Sequence, residues 1–290
     1  TYHPYDDLPK LINPDTGWVQ NANEPPWTAT YPYALNPDDY PAYFAPRPFV
    51  WPRPQQSMRL LHSDESITFE ELVTYKHSTY AELRDLLLED LITAARASDN
   101  VLAQRSADVL AAWDGYTDAD SVGAALFTLW TLAYIEPLRF AAFENPWNPD
   151  EPFTTPNQLA DPEGAVETLI EVARQLELAR LLGGGIDAPY GNVFRVRWGA
   201  YDLPSNGSYD LLGTFRSMTY QPDSDLRFRA VLGESFIAVV EFTEAGPRAE
   251  VLLAYGNATQ PDSPHFGDQL TLFTEKRLRP AWFTRADIEA

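Results

Sequence analysis

The stretch Gly17-Trp18-Val19-Gln20-Asn21-Ala22-Asn23-Glu24-Pro25-Pro26-Trp27 carries the most telling local signal in this chain. Trp18-Val19 predicts a short strand that runs into two amides and is stopped by Pro25-Pro26, because proline cannot donate to a sheet ladder. Asn21 and Asn23 are two apart, so on extended backbone their side chains point to the same side. An asparagine at a strand end aims a neutral N–H donor at a fixed point without bringing a charge of its own. Chemistry that builds negative charge on a carbonyl oxygen needs such a donor, and losing one typically costs about 2.7–4 kcal/mol of transition-state stabilisation. The other reading of the same residues is an ordinary Asx-rich turn.

Around this stretch, residues 1–57 are rich in Pro, Tyr, Trp and Asn. Pro25-Pro26, Pro37, Pro41, Pro46, Pro48, Pro52 and Pro54 exclude a long helix there. The aromatics among them (Trp27, Tyr31, Tyr33, Tyr40, Tyr43, Phe44, Phe49, Trp51) need burial, which predicts an irregular loop pressed against a body and able to line a pocket. Residues 68 to about 146 then read as helices. Thr68-x-x-Glu71 is a capping box, and Leu72, Val73, Leu83, Leu86, Leu87 and Leu91 mark an amphipathic face. A further helix is expected from Asn100 to Trp113. Another, apolar on several sides, starts at Ser121 and ends at Asn145-Pro146. Asp161-Pro162 is an N-cap and N1 pair that opens a helix ended by Gly183-Gly184-Gly185. That triplet follows a helix, whereas phosphate-binding loops precede one.

From about Tyr190 the pattern changes to strands: Val193 to Trp198, Arg227 to Val231, Phe236 to Phe242 and Arg248 to Ala254. Ser235 to Phe242 is almost wholly apolar, as expected of a strand covered on both faces. The order of strand and loop, helical block, then strands predicts one α+β unit whose first strand rejoins the late sheet. Its parts are 1–57, a mostly helical 58–189 and a mostly strand 190–290.

Composition narrows the function. The chain has 290 residues, 44% hydrophobic and 22% charged, with 8 Trp, 15 Tyr and 15 Phe, so it is globular and not disordered. A net charge of −21 disfavours nucleic-acid partners, since no basic surface offsets phosphate repulsion. The absence of cysteine rules out disulfides, thiolate catalysis and zinc–sulfur sites. His3, His62, His77 and His265 show no metal-ligand spacing, and Asp38, Asp39 and Asp268 do not form a recognisable ligand set. No metal and no cofactor is expected. No apolar run has membrane-span length.

GWVQNANEPPW, preceded by Ile12-Asn13-Pro14, resembles the oxyanion-asparagine segment of the penicillin acylase family, which includes penicillin, cephalosporin and acyl-homoserine-lactone acylases. Tyr255-Gly256-Asn257-Ala258-Thr259 followed by Ser263-Pro264-His265-Phe266-Gly267-Asp268-Gln269 resembles the family's C-terminal pattern. Arg59-Leu60-Leu61 with Thr68-Phe69-Glu70-Glu71-Leu72 resembles the segment after the asparagine. The three lie in family order across nearly the whole chain. The resemblance implies part of an N-terminal-nucleophile (Ntn) hydrolase αββα sandwich, with a helical block between the N-terminal strand and loop and the C-terminal strands. It also implies an exported precursor, periplasmic or secreted.

In that family an N-terminal Ser, Cys or Thr attacks an amide carbonyl with its own α-amine as base, which a pKa near 8 permits. By resemblance, Asn23 is the oxyanion donor and Arg59 an organising arginine. Glu234 is the carboxylate that orients a histidine near the nucleophile. Arg59 could equally be a surface ion pair, and Glu234 a polar strand-start residue. His265, between Pro264 and Asp268, reads as part of a hydrogen-bonded turn. Thr1-Tyr2-His3-Pro4 does not match the family's nucleophile strand, and Pro4 argues against a central strand. The chain therefore resembles the C-terminal part of the large subunit. Its expected partners are the rest of that subunit, the small subunit and an N-acyl small molecule, and alone it is expected to be inactive. The alternative is a non-catalytic binding or structural module that keeps the scaffold.

Overall fold

The structure, a computed structural model, describes residues 2–44 and 50–289. Thr1, Pro46, Pro48 and Phe49, named above, lie outside the described residues. Residues 2–44 hold only short 3-10 turns, at Tyr5–Asp7, Pro26–Thr28 and Pro37–Asp39. The strand expected at Trp18-Val19 does not form, and this segment joins none of the sheets. A ladder needs a partner strand, and the Pro26–Thr28 turn folds back too tightly to supply one. Gln20 N donates to Ala29 O at 2.8 Å, and the next bond comes from its side chain, Nε2 to Thr28 O at 3.0 Å. The result is a closed loop, and the expectation that a first strand rejoins the late sheet is corrected.

Helix α1 (Pro52–His62) begins at the end of the proline-rich stretch, which was expected to exclude a long helix. Pro52 sits at its first position, where the missing N–H has no intrahelical partner to lose. The amphipathic stretch after Thr68 divides into α2 (Phe69–Lys76), with its capping box, and α3 (Leu83–Ala97). Helix α4 (Val101–Ala111) is capped by Asn100, and α5 (Ala124–Trp130) continues through a π turn into α6 (Glu136–Leu138). Helix α7 (Pro162–Leu178) has Asp161 as its N-cap, accepting from Gly164 N at 3.0 Å, and ends five residues before the glycine triplet. Leu83, Leu87, Leu91, Leu110, Leu126, Phe127 and Trp130 from α3, α4 and α5 form the centre of the core, all nearly inaccessible to solvent.

A two-stranded ribbon, β1 (Phe143–Asn145) with β2 (Asn157–Leu159), precedes α7. After the short α8 (Tyr190–Val193) comes a four-stranded sheet of order β4-β3-β6-β5, with β3 (Phe194–Trp198), β4 (Tyr201–Pro204), β5 (Met218–Pro222) and β6 (Phe228–Gly233). A second sheet joins β7 (Phe236–Thr243), β8 (Gly246–Leu253) and β9 (Arg279–Pro280). Helices α9 (Leu270–Thr274) and α10 (Arg285–Glu289) complete the described chain. This mixed content is α+β. Strand β7 buries Ile237 and Val239 but exposes Phe236, Ala238, Val240 and Phe242, so only one of its apolar faces is covered here. None of the helices in the described residues is long and apolar enough to cross a membrane.

Candidate functional site

The amide loop is built around Asn23. Its backbone is left-handed, φ 72°, a conformation asparagine tolerates better than most side chains. Asn23 N donates to Asn21 Oδ1 at 3.0 Å, and Asn21 Nδ2 donates to Glu24 O at 3.2 Å. The two amides therefore do not share one face: Asn21 makes the local Asx turn, and Asn23 is turned away from it. Glu24 Oε2 accepts from Ala22 N at 2.6 Å and its other oxygen from Gln20 Nε2, which fixes the loop from inside.

Arg53, in the first turn of α1, holds the tip of this loop. Its Nη2 donates to Asn23 Oδ1 at 2.8 Å and to Ala22 O at 2.7 Å, while Nε pairs with Asp210. Asp210 opens a 3-10 turn, Asp210–Leu212, whose C-cap Gly213 has φ 80°. A Cβ on Gly213 would meet Pro52 Cβ at 2.5 Å and Glu82 Cβ at 2.6 Å. Only glycine lets this turn approach α1 closely enough for Asp210 to reach Arg53. With its oxygen committed to a guanidinium, the Asn23 carboxamide presents Nδ2, which makes no hydrogen bond among the described residues. A charged donor on the oxygen also polarises the amide and strengthens its remaining N–H groups. Asn23 itself is exposed.

Arg59 lies elsewhere. Its Nε donates to Glu82 Oε1 at 2.9 Å and its Nη2 to Phe153 O at 2.5 Å. Glu82 is fully buried, and burial raises its pKa against the opposing pull of Arg59. The arginine that reaches Asn23 is Arg53, which spacing alone did not single out. The usable signal was Trp51-Pro52: a proline at a helix start places the next residue in the first turn, free to reach back over the preceding loop.

Glu234, between β6 and β7, pairs with Lys76 at the end of α2, and its Oε2 is buried without a partner among the described residues. Burial, then Arg216 and Arg53, pushes the Lys76 ammonium down to about 8. Both arginines act on Lys76, so the Glu234 pair and the Asn23–Arg53 pair share one electrostatic neighbourhood. Arg216 is fully buried, stacked 4.1 Å from the Phe273 ring, with Nε and Nη1 unpartnered among the described residues. His265 Nδ1 lies 2.8 Å from Asp268 Oδ2 in an exposed turn, as its neighbours suggested.

Compared with known families, residues 1–290 match the model described as penicillin amidase along their whole length. The chain belongs to the penicillin amidase family. It is 31% identical to the acyl-homoserine lactone acylase PvdQ of Pseudomonas putida over 98% of this chain and 36% of that protein. It is 26% identical to the aculeacin-A acylase of Actinoplanes utahensis over 71% of this chain and 26% of that one. A thermostable penicillin G acylase from Alcaligenes faecalis superimposes with a TM-score of 0.48 at 16% identity, covering 99% of this chain and 57% of its own. This penicillin amidase family chain thus spans about a third of the length of the PvdQ relatives it matches.

Proposed function

We propose that the chain is a portion of a penicillin-acylase-type amidohydrolase that cleaves the amide of an N-acylated small molecule, a β-lactam or an acyl-homoserine lactone. Asn23 Nδ2 is the oxyanion donor, Arg53 fixes and polarises it, and the nucleophile comes from outside these residues. Glu234, held by Lys76, is the carboxylate that orients an imidazole of that outside segment. Arg59 braces α1 against Glu82. The rest of the large subunit and a small subunit complete the site, in a protein exported to the periplasm or beyond. The observation that carries this reading is the left-handed Asn23, whose oxygen is held by Arg53 and whose N–H groups are left for a ligand. The relatives, named as acylases of different substrates, support amide cleavage as the shared reaction and leave the acyl group open.

An oxyanion donor works in a water-excluded site. The exposure of Asn23 therefore requires a cover from the remaining protein, and it is also what a non-catalytic module would show. Both are tested on the intact gene product with N-acyl-homoserine lactone and phenylacetylated amide substrates. Turnover that falls about 10²–10³-fold in Asn23→Gly establishes the site. Turnover in the wild type with an unchanged rate in Asn23→Gly refutes the Asn23 assignment. No amide cleavage by the correctly assembled wild type favours the scaffold module.

A further inference from the structure

Helix α7 ends in a run of leucines that this chain leaves uncovered. The helix buries Leu169, Val172, Ala173 and Leu176 in the core, and Leu178 falls outside that stripe, 81% exposed. The 3-10 turn that follows, Arg180–Leu182, presents Leu181 at 98% exposure and Leu182 half-exposed. Leu178 and Leu182 line a cavity of about 390 Å³ whose other walls include Leu129, Leu176, Val193 and Phe228.

The charged groups around this cavity are paired with one another. Arg180 binds Glu177 and, at 2.8 Å, Asp187, while Arg197 donates to Asp223 at 2.9 Å and Asp225 at 2.6 Å. Arg227 Nη2 donates to Leu182 O at 3.1 Å, and its Nε is buried out of reach of any occupant. The surface offered to a partner is therefore aliphatic and framed by satisfied charges, the make-up of an interface centre.

Leu226 lines the cavity from the turn between β5 and β6. Its φ of 64° is left-handed, a conformation that strains a side chain of this bulk and is normally left to glycine or asparagine. The side chain is 60% exposed, so burial within these residues does not offset the strain. Backbone strain that local packing does not offset points to a contact beyond these residues.

A small molecule in the cavity would leave Leu181 in water, whereas a protein segment covers cavity and rim together. The relatives extend well beyond this chain, which spans 36% of the Pseudomonas putida protein. We propose that the cavity and its leucine rim are a docking surface for an apolar segment of the same protein outside these residues. Bulky side chains of that segment anchor in the cavity, and Leu226 packs against them. The inference rests on the reading of the chain as a portion of a longer protein, and not on the chemistry at Asn23.

The test is thiol labelling of the intact gene product carrying Leu181→Cys, with N-ethylmaleimide and peptide mass spectrometry. This chain has no cysteine of its own, so label on its peptides reports position 181 alone. Native protein is expected to label at least about a hundredfold more slowly than the same protein in urea, with protection that persists on dilution and after dialysis. Leu226→Gly suits the left-handed backbone and keeps the turn, yet it raises native labelling at least about tenfold, the worth of one buried leucine. Native labelling as fast as in urea, or protection unaffected by Leu226→Gly, overturns the proposal. Protection lost on dilution or dialysis also overturns it, because the cover is then a second copy or a small molecule. Amide turnover by the same sample reports separately on the amidohydrolase reading, so the two can fail independently.

Discussion

Asn23 combines a backbone conformation and a side-chain role that substitution can separate. At φ 72° an alanine pays for the left-handed backbone about 1–2 kcal/mol, whereas glycine does not. Asn23→Ala is therefore expected to lower the unfolding free energy by about that amount and Asn23→Gly to leave it near wild type, both measured by urea denaturation. If the two variants have equal stability, the left-handed geometry is not what constrains this position. Arg59 gives the contrasting case. Removing it in Arg59→Ala leaves the Glu82 carboxylate buried without its cation, at a cost of about 3 kcal/mol at neutral pH. Turnover per folded molecule should be unchanged, and a rate loss without a stability loss would return Arg59 to the site. The sequence singled out Asn23 as a candidate, because a polar residue just ahead of a proline pair is a local signal. It did not show Arg53, whose contact with Asn23 spans 30 positions and whose fixing by Asp210 spans 157.

At the scale of elements, local chemistry was legible wherever it is self-contained. The Thr68–Glu71 box, the Asn100 cap and the Asp161-Pro162 start all form, because each satisfies orphan amides of its own helix. Trp18-Val19 failed as a strand because pairing is a property of two segments. The link between α2 and α3 depends on His77, which is buried with Nδ1 2.8 Å from Val73 O. Burial is the largest influence on its pKa; the Val73 bond opposes it and the charges of Arg216, Lys76 and Lys276 add to it, leaving the group lowered from 6.5 to about 4. Above pH 6.5 neither state binds this proton, so the group has no effect on stability. As pH falls from 6.5 to about 4 the unfolded chain is protonated first, and stability drops by up to about 3 kcal/mol before levelling off. Unfolding free energies of wild type and His77→Gln across this range should converge or cross as pH falls; a difference independent of pH refutes the shift. Gly213→Ala forces a Cβ against Pro52 and Glu82 at φ 80°, with an expected loss above about 2 kcal/mol. Because the same turn carries Asp210, residual folded protein should also lose turnover.

For the whole molecule, the open face of β7 is the feature on which the proposed completion of the chain by further protein can be tested. Ile237 and Val239 face inward, on the side where α2 packs, and Arg248 ties α2 to β8 through Glu70 at 2.6 Å. The opposite face presents Phe236, Val240 and Phe242, the last 89% exposed, on an edge strand. A contiguous apolar face on a sheet edge invites pairing and is normally covered or blunted by charge. Here it carries no lysine, in a chain whose charge of −21 would otherwise disperse it in water. The relatives are about three times as long as this chain, and the face is where we expect the additional protein to pack. Burying a Phe or Val side chain contributes about 1.5–3 kcal/mol, so Val240→Lys with Phe242→Lys should remove about 3–6 kcal/mol from that contact. Separately produced pieces of the intact protein should then associate at least about a hundredfold more weakly by calorimetry. The isolated chain should in turn become less prone to self-association by analytical ultracentrifugation. Undiminished association of the pieces would mean that this face is not where the proposed remainder of the amidohydrolase packs, and the cover proposed over Asn23 would have to come from another side.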